Sequence, residues 1–409
     1  MTAVDDQLYP SPLWDEAPTD DPAGDLIGMT GPTIVAARGA WLTDRTGGRW
    51  LDARSAAFGP GHPAVTTAVV EQLDRVALSS RVLISRPLAD AVTELARFCP
   101  APLELSYLCN SGDEALDFAL KLAKGAAPGR GRVLGIRGED FGALAHGSAL
   151  RFGRDVLHTP PLSADAIDPG DLERLPERLD TSTAAVVIAP AAPGRGLDAL
   201  SGTWWRTLRR RCQETGALLV LDERLTAPAR LGTRLGCQSI GIVPDVLVLG
   251  EQLGAGTVPL GVTVTSRQLY DSVLGHRNPT VHGSTFGANP LAAATVRAVL
   301  DAVRHDDLPA RNHAAQDQLR EAWSQLNGHE EVRAAGVDGT LAWIRFTGRD
   351  RADRFCRGLS RRRVLARRCG PDLVAFLPPL TSEPDDLRHL TAAVTAAVSD
   401  AEKDPEADQ

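Results

Sequence analysis

The stretch Gly216-Ala-Leu-Leu-Val-Leu-Asp-Glu-Arg224 limits the fold more than any other. It is a near-continuous apolar run closed by acids. A strand with one wet face alternates polar and apolar residues, so an unbroken run needs cover on both faces, as in a central parallel strand. Ala184-Ala-Val-Val-Ile-Ala-Pro190 and Val246-Leu-Val-Leu-Gly250 repeat the pattern. A helical stripe at Ala115, Leu116, Ala119, Leu120 and Ala123 stands among them. The chain therefore reads as α/β. Ligands in open α/β sheets bind at the carboxyl ends of the strands, which is where Asp222 and Glu223 fall.

With 409 residues, the chain is long enough for a large domain and a smaller one. The expected division is an acidic, proline-rich arm over 1–30, a small-domain segment over 31–62, a large domain over 63–300, the rest of the small domain over 301–400, and an acidic tail over 401–409. No apolar run approaches the roughly 20 residues that span a bilayer. The first 25 residues contain no basic residue, unlike a signal or transit peptide, so the expected location is cytoplasmic. A net charge of −8 argues against nucleic-acid binding. Cys99, Cys109, Cys212, Cys237, Cys356 and Cys369 are scattered without a CxxC pair, which points to thiols rather than a disulfide framework or a metal site. Arg209-Arg210-Arg211 and Arg361-Arg362-Arg363 read as solvated helix faces. Of the 44 Lys and Arg residues, only Lys121, Lys124 and Lys403 are lysines.

Longer strings carry more. Leu105-Ser-Tyr-Leu-Cys109 is a strand that enters Asn110-Ser-Gly-Asp-Glu-Ala-Leu-Asp-Phe-Ala-Leu-Lys-Leu-Ala-Lys124, with Ser111 and Glu114 spaced as a helix capping box. Asp222-Glu-Arg224 is followed by Arg230-Leu-Gly232, Val243-Pro-Asp-Val-Leu-Val-Leu-Gly250 precedes Glu251, and His282-Gly-Ser-Thr-Phe-Gly-Ala-Asn-Pro290 opens a long Ala-, Val- and Leu-rich helix. Over roughly residues 35–400 these strings resemble the class III aminotransferases, a branch of the fold-type-I pyridoxal phosphate (PLP) enzymes. The resemblance implies a PLP-dependent transferase-like fold, with a mostly parallel seven-stranded-type sheet and a smaller α+β domain. It implies a homodimer in which Thr285 reaches the phosphate of the other subunit's site. It places Ser111, Gly112 and Asp113 at the helix N-terminus that holds the phosphate. Asp222 matches the acid of the pyridine nitrogen, Glu223 a structural glutamate, and Phe141 can supply the aromatic face on the ring.

The same resemblance marks departures. Glu251 stands where the family has the lysine that carries PLP. Asp113 puts a carboxylate in the phosphate cradle. Asp140 falls in the aromatic turn, Leu225 at the contact to the ring hydroxyl, and Ala375 at an arginine that binds substrate carboxylates. Arginine cannot replace the lysine, because its guanidinium stays protonated. These losses predict that the cofactor is none, and that Glu251, with Asp140 or Asp222, performs PLP-independent acid–base chemistry on a small-molecule substrate. Two alternatives stand beside this: a non-catalytic scaffold for a pathway enzyme, and an enzyme that binds PLP or its amine form (PMP) non-covalently with Glu251 as base. Glu223, Arg224, Arg230 and His282 are further cleft candidates. The clustered acids are expected either to raise one another's pKa or to pair with Arg137, Arg224 and Arg230.

Overall fold

The structure is a computed structural model that describes residues 31–55, 58–79, 83–144, 147, 150, 163–275 and 283–402. The expected arm over 1–30, most of the tail and His282 lie outside the described residues. The chain divides into two compact units, one comprising 1–62, 193–196 and 310–409 and the other 63–192 and 197–309.

The larger unit is built on a seven-stranded sheet. Its order is Leu105–Cys109, Gly261–Thr265, Val246–Leu249, Leu218–Asp222, Thr183–Ile188, Arg132–Ile136 and Ser163–Ile167. The pairs from Val246–Leu249 to Ser163–Ile167 are parallel, and Gly261–Thr265 is antiparallel to both its neighbours. The apolar runs are these inner strands: every residue of Thr183–Ile188, Val246–Leu249 and Gly261–Thr265 is buried.

The helix Gly112–Ala126 packs its stripe on the sheet, with Ala115, Leu116, Ala119, Leu120 and Ala123 against Val133, Ala185, Val187, Val220, Val246 and Val248. Ser111 caps it by accepting the Glu114 amide at 3.1 Å. The other half of the expected capping box shifts by one residue, because the Glu114 carboxylate accepts the amide of Asn110 at 3.0 Å. Asp113 and Glu114 in the first turn and Lys124 in the last complement the helix dipole.

The arginine runs are solvated in part, with Arg210, Arg361 and Arg363 exposed as expected, but the other three side chains make tertiary contacts. Arg209 is half-buried and forms a two-pronged pair with Asp245, at 2.6 and 2.9 Å. Arg211 donates to the carbonyl of Leu179 at 3.0 Å, and Arg362 binds Asp400 at 2.7 Å. These side chains fasten helices to neighbouring elements.

The smaller unit has two four-stranded sheets. One contains the hairpin Trp41–Asp44 and Arg49–Asp52, closed by the Asp44 carboxylate accepting the amides of Thr46 and Gly48 and the Trp50 indole N–H. The other carries Val332–Asp338, Leu341–Phe346 and Leu373–Phe376. Its core packs Phe346 against Phe355 at a tilt and Trp323 edge-to-face with Phe376. No helix among the described residues is long and apolar enough to cross a membrane.

One close approach holds the site edge of the large sheet together. Gly261 pairs with Cys109, and a Cβ at Gly261 would lie 1.9 Å from the carbonyl oxygen of Ser111. Gly261→Ala must therefore push the strand off the start of the Gly112–Ala126 helix. The expected cost is about 1–3 kcal/mol, as for overpacking of a filled core, read as a lower urea midpoint.

Candidate functional site

The parallel strands end together at one edge of the large unit's sheet, and the chemistry-bearing side chains gather there. Asp222 is the last residue of Leu218–Asp222, paired across from Val248. The Gly112–Ala126 helix begins just after Leu105–Cys109. Glu251 opens a short 3-10 turn, Glu251–Gly254, immediately after Val246–Leu249 and Gly250.

Arg224 ties these elements. Its Nε donates to both oxygens of Asp222, at 3.0 and 3.2 Å, and one terminal nitrogen donates to Asp222 at 2.8 Å and to the carbonyl of Asp140 at 2.7 Å. The other terminal nitrogen donates to Asp113 Oδ1 at 2.6 Å. The side chains of Arg224 and Asp222 are 10% and 6% exposed, so this is a buried ion pair. Burial works against the Arg224 charge, but Asp222, Asp140 and Asp113 outweigh it and hold the guanidinium above its ordinary pKa. Removing one member of such a pair strands the other charge, at a cost of about 3–5 kcal/mol. The stem of Arg224 lies across the helix start: a Cβ on Gly112 would meet Arg224 Cδ at 2.7 Å and Glu251 Oε2 at 3.4 Å. Gly112, Arg224 and Glu251 therefore form one contact group.

The remaining acids have separate tasks. Asp113 Oδ2 accepts the Ala143 amide at 2.8 Å. Asp140 turns its carboxylate onto the amide of Gly142 at 2.9 Å, so it reaches Arg224 through its backbone carbonyl. Glu223, fully buried, points away from this group. It accepts the backbone amides of Gly236 and Cys237 and the Thr226 hydroxyl. It is the raised carboxyl expected from the sequence, at about 7, but burial raises it rather than crowding by other acids.

The arginine partners sort differently from one another. Arg137 pairs with Asp168 at 2.6 Å and donates to the carbonyl of Ala166. Arg230 is fully buried and interacts electrostatically with Glu251; burial pulls its guanidinium down to about 9, and Glu251 opposes the fall.

Phe141 does not present an open face. It is 1% exposed and sits in the core with Leu116, Val133 and Leu150. Gly135 makes room for it, since a Cβ there would lie 3.2 Å from its ring. Thr285 is exposed on a turn whose Ser284 hydroxyl accepts the Asn110 carboxamide beside the cradle. Sequence reasoning passed over Gln252, which is 0% exposed and has neither side-chain polar atom hydrogen-bonded among the described residues. Its signal was only its place next to Glu251.

A sequence profile described as aminotransferase class-III matches residues 29–398. The chain belongs to the class III aminotransferase family. Solved structures agree in fold. A thermostable (S)-enantioselective ω-transaminase from Thermomicrobium roseum superposes with a TM-score of 0.83 at 23% identity, covering 93% of this chain and 95% of that one. An amine transaminase from an uncultivated Pseudomonas species, solved in its PLP-bound form, gives 0.82 at 24% identity, covering 91% and 96%. An ornithine aminotransferase from Toxoplasma gondii gives 0.79 at 24% identity, covering 90% of each chain. The expected PLP-dependent transferase-like fold is therefore present.

The expectation of no cofactor is corrected by the same findings, because the family and its structural neighbours point to PLP. In this class III chain the residues meet that group by position but not by present arrangement. Asp222 and the Ser111–Gly112 helix start stand where the resemblance puts the ring nitrogen and the phosphate. Arg224 meanwhile holds both oxygens of Asp222 and covers Gly112. In this arrangement the Arg224 side chain takes up both of those groups.

Glu223 also makes folding depend on pH. The folded chain keeps its proton up to about pH 7, whereas an unfolded chain releases it near 4.5. The folded state thus carries the extra proton in that window, and stability falls as pH rises through it, by on the order of 3 kcal/mol in all. Glu223→Gln is expected to flatten this decline in urea unfolding followed from pH 4.5 to 8.

Proposed function

We propose that this protein is a class III aminotransferase-family enzyme that takes PLP or PMP without a covalent bond to the chain and uses Glu251 as its proton-transfer group. The observation that carries the reading is the placement of the Glu251 carboxylate, 3.4 Å from the Cβ position of Gly112 at the helix start. Lys121 and Lys124 lie on that same helix. At 1.5 Å per residue they fall roughly 13 and 18 Å along its axis from Gly112, and Lys121 is paired with Asp117 at 2.9 Å. The third lysine, Lys403, is outside the described residues.

PLP supplies an electron sink for bonds at a carbon that bears nitrogen. The chain's own part is to bind, orient and move protons. Asp222 would hold the ring nitrogen with Arg224 withdrawn from it. The amides at the start of Gly112–Ala126 would hold the phosphate. Glu251, exposed and mounted on a short turn at the strand end, accepts a proton from the ligand at a carboxylate oxygen and returns it. Thr285, exposed beside Asn110, suits the proposed homodimer in which it completes the partner's phosphate site. The substrate on this reading is a small amine or amino acid.

Native and denaturing mass spectrometry after incubation with PLP tests the binding mode. The expected result is PLP retained in the native spectrum and lost on denaturation, with no added mass on the chain after borohydride treatment. A reduced adduct on the chain, or no PLP in the native spectrum, overturns the proposal. Glu251→Gln is expected to keep PLP binding and to lose amino-group transfer from a panel of amines by about 10²–10⁴-fold, the usual share of a general base.

A further inference from the structure

Arg224 occupies two subsites at once. At one end its Nε and a terminal nitrogen cover both oxygens of Asp222, which puts a protein cation against the acid assigned to the ring nitrogen. At the other end it neutralises Asp113, whose carboxylate stands in the first turn of the cradle helix. Between them its stem fills the space above Gly112. A ligand that joins a cationic ring nitrogen to a phosphate needs the same acid and the same helix start. It must also face the Asp113 carboxylate when Arg224 withdraws, and a carboxylate repels a phosphate dianion.

We propose that Arg224 is a built-in competitor for the cofactor, a guanidinium latch across Asp222 and Asp113 that PLP must displace, so that release of the latch sets PLP affinity. The proposal rests on the non-covalent cofactor reading above. When the binding-competent arrangement is only a fraction of the population, the apparent dissociation constant rises by the inverse of that fraction. A side chain with its guanidinium held on several partners leaves that fraction small. Arg224 is thereby a specificity-determining residue. It disfavours ligands that offer only a ring nitrogen or only a phosphate, because either one repays part of the displacement.

The test is equilibrium titration of the full-length protein with PLP, read by dialysis and by the change in PLP absorbance, with catalysis not involved. Arg224→Val is expected to bind PLP at least tenfold more tightly than wild type. Arg224→Gln keeps hydrogen-bonding capacity without the charge or the fork, adds no amine that could condense with PLP, and is expected to fall between them; it also covers the case in which Arg224→Val does not fold, with circular dichroism reporting the fold. Asp113→Ser is expected to tighten binding as well, by removing both an anchor of the latch and the carboxylate facing the phosphate. Equal or weaker PLP binding in the folded Arg224 variants overturns the latch and leaves the cofactor reading standing. Absence of PLP binding in wild type and every folded variant overturns both.

Discussion

A single guanidinium holds the functional edge of the large unit in its present form. Asp222 ends one parallel strand, Asp140 follows another, and Asp113 begins the helix that crosses above them. Asp222 is buried and Asp113 is half-buried, so without a cation between them these two carboxylates would repel one another. Arg224 resolves the repulsion by bonding to Asp222 and Asp113 through their side chains and to Asp140 through its carbonyl. The chain that supplies Arg224 is itself anchored, because the Glu223 amide beside it donates to Val248 at 2.8 Å and continues the sheet pairing past Asp222. Backbone pairing thus fixes where the guanidinium starts, and the acids fix where it ends.

Much of the fold was readable because burial writes itself into composition. Unbroken apolar runs became the inner parallel strands, and the helix after Ser111 kept its stripe toward the sheet. The antiparallel place of Gly261–Thr265 was not readable in the same way. That strand, Gly-Val-Thr-Val-Thr, is fully buried despite its two threonines, and its direction follows from the connection that returns it beside Val246–Leu249. The helix cap was half readable: the spacing of Ser111 and Glu114 announces the box, but which amide the Glu114 carboxylate meets depends on side-chain torsions that spacing does not set.

The site was readable by position and not by contact. Asp222, Asp113, Arg224 and Glu251 were all named from their strings, and the structure brings them into one neighbourhood. What the strings could not show was that Arg224 crosses from strand end to helix start, since its long side chain reaches Asp113, 111 residues away, and Asp140, 84 away. Phe141 shows the opposite failure. An aromatic residue near a cofactor turn invites a stacking role, yet Gly135 opens a space beneath the sheet edge and the ring goes into the core. A glycine on the strand leading into this turn leaves the room, and nothing in its spacing from Phe141 announces that the two meet.

Charge ties the two unusual residues to each other. Arg230 is fully buried, and burial alone lowers its guanidinium well below the ordinary range. The Glu251 charge opposes that fall. A lysine at residue 251 would turn that support into repulsion, beside a helix start that the Arg224 stem already covers. On the proposed reading, then, Glu251 and Arg224 are complementary changes. A negative side chain at the edge offsets the buried Arg230, and a positive one in the cleft offsets Asp222 and Asp113. Reversing one without the other leaves a buried group facing its own sign, which is far costlier than either substitution judged alone. The cleft is therefore set up as a charge-balanced unit, and a ligand enters it by exchanging charge with Arg224 rather than by filling empty space.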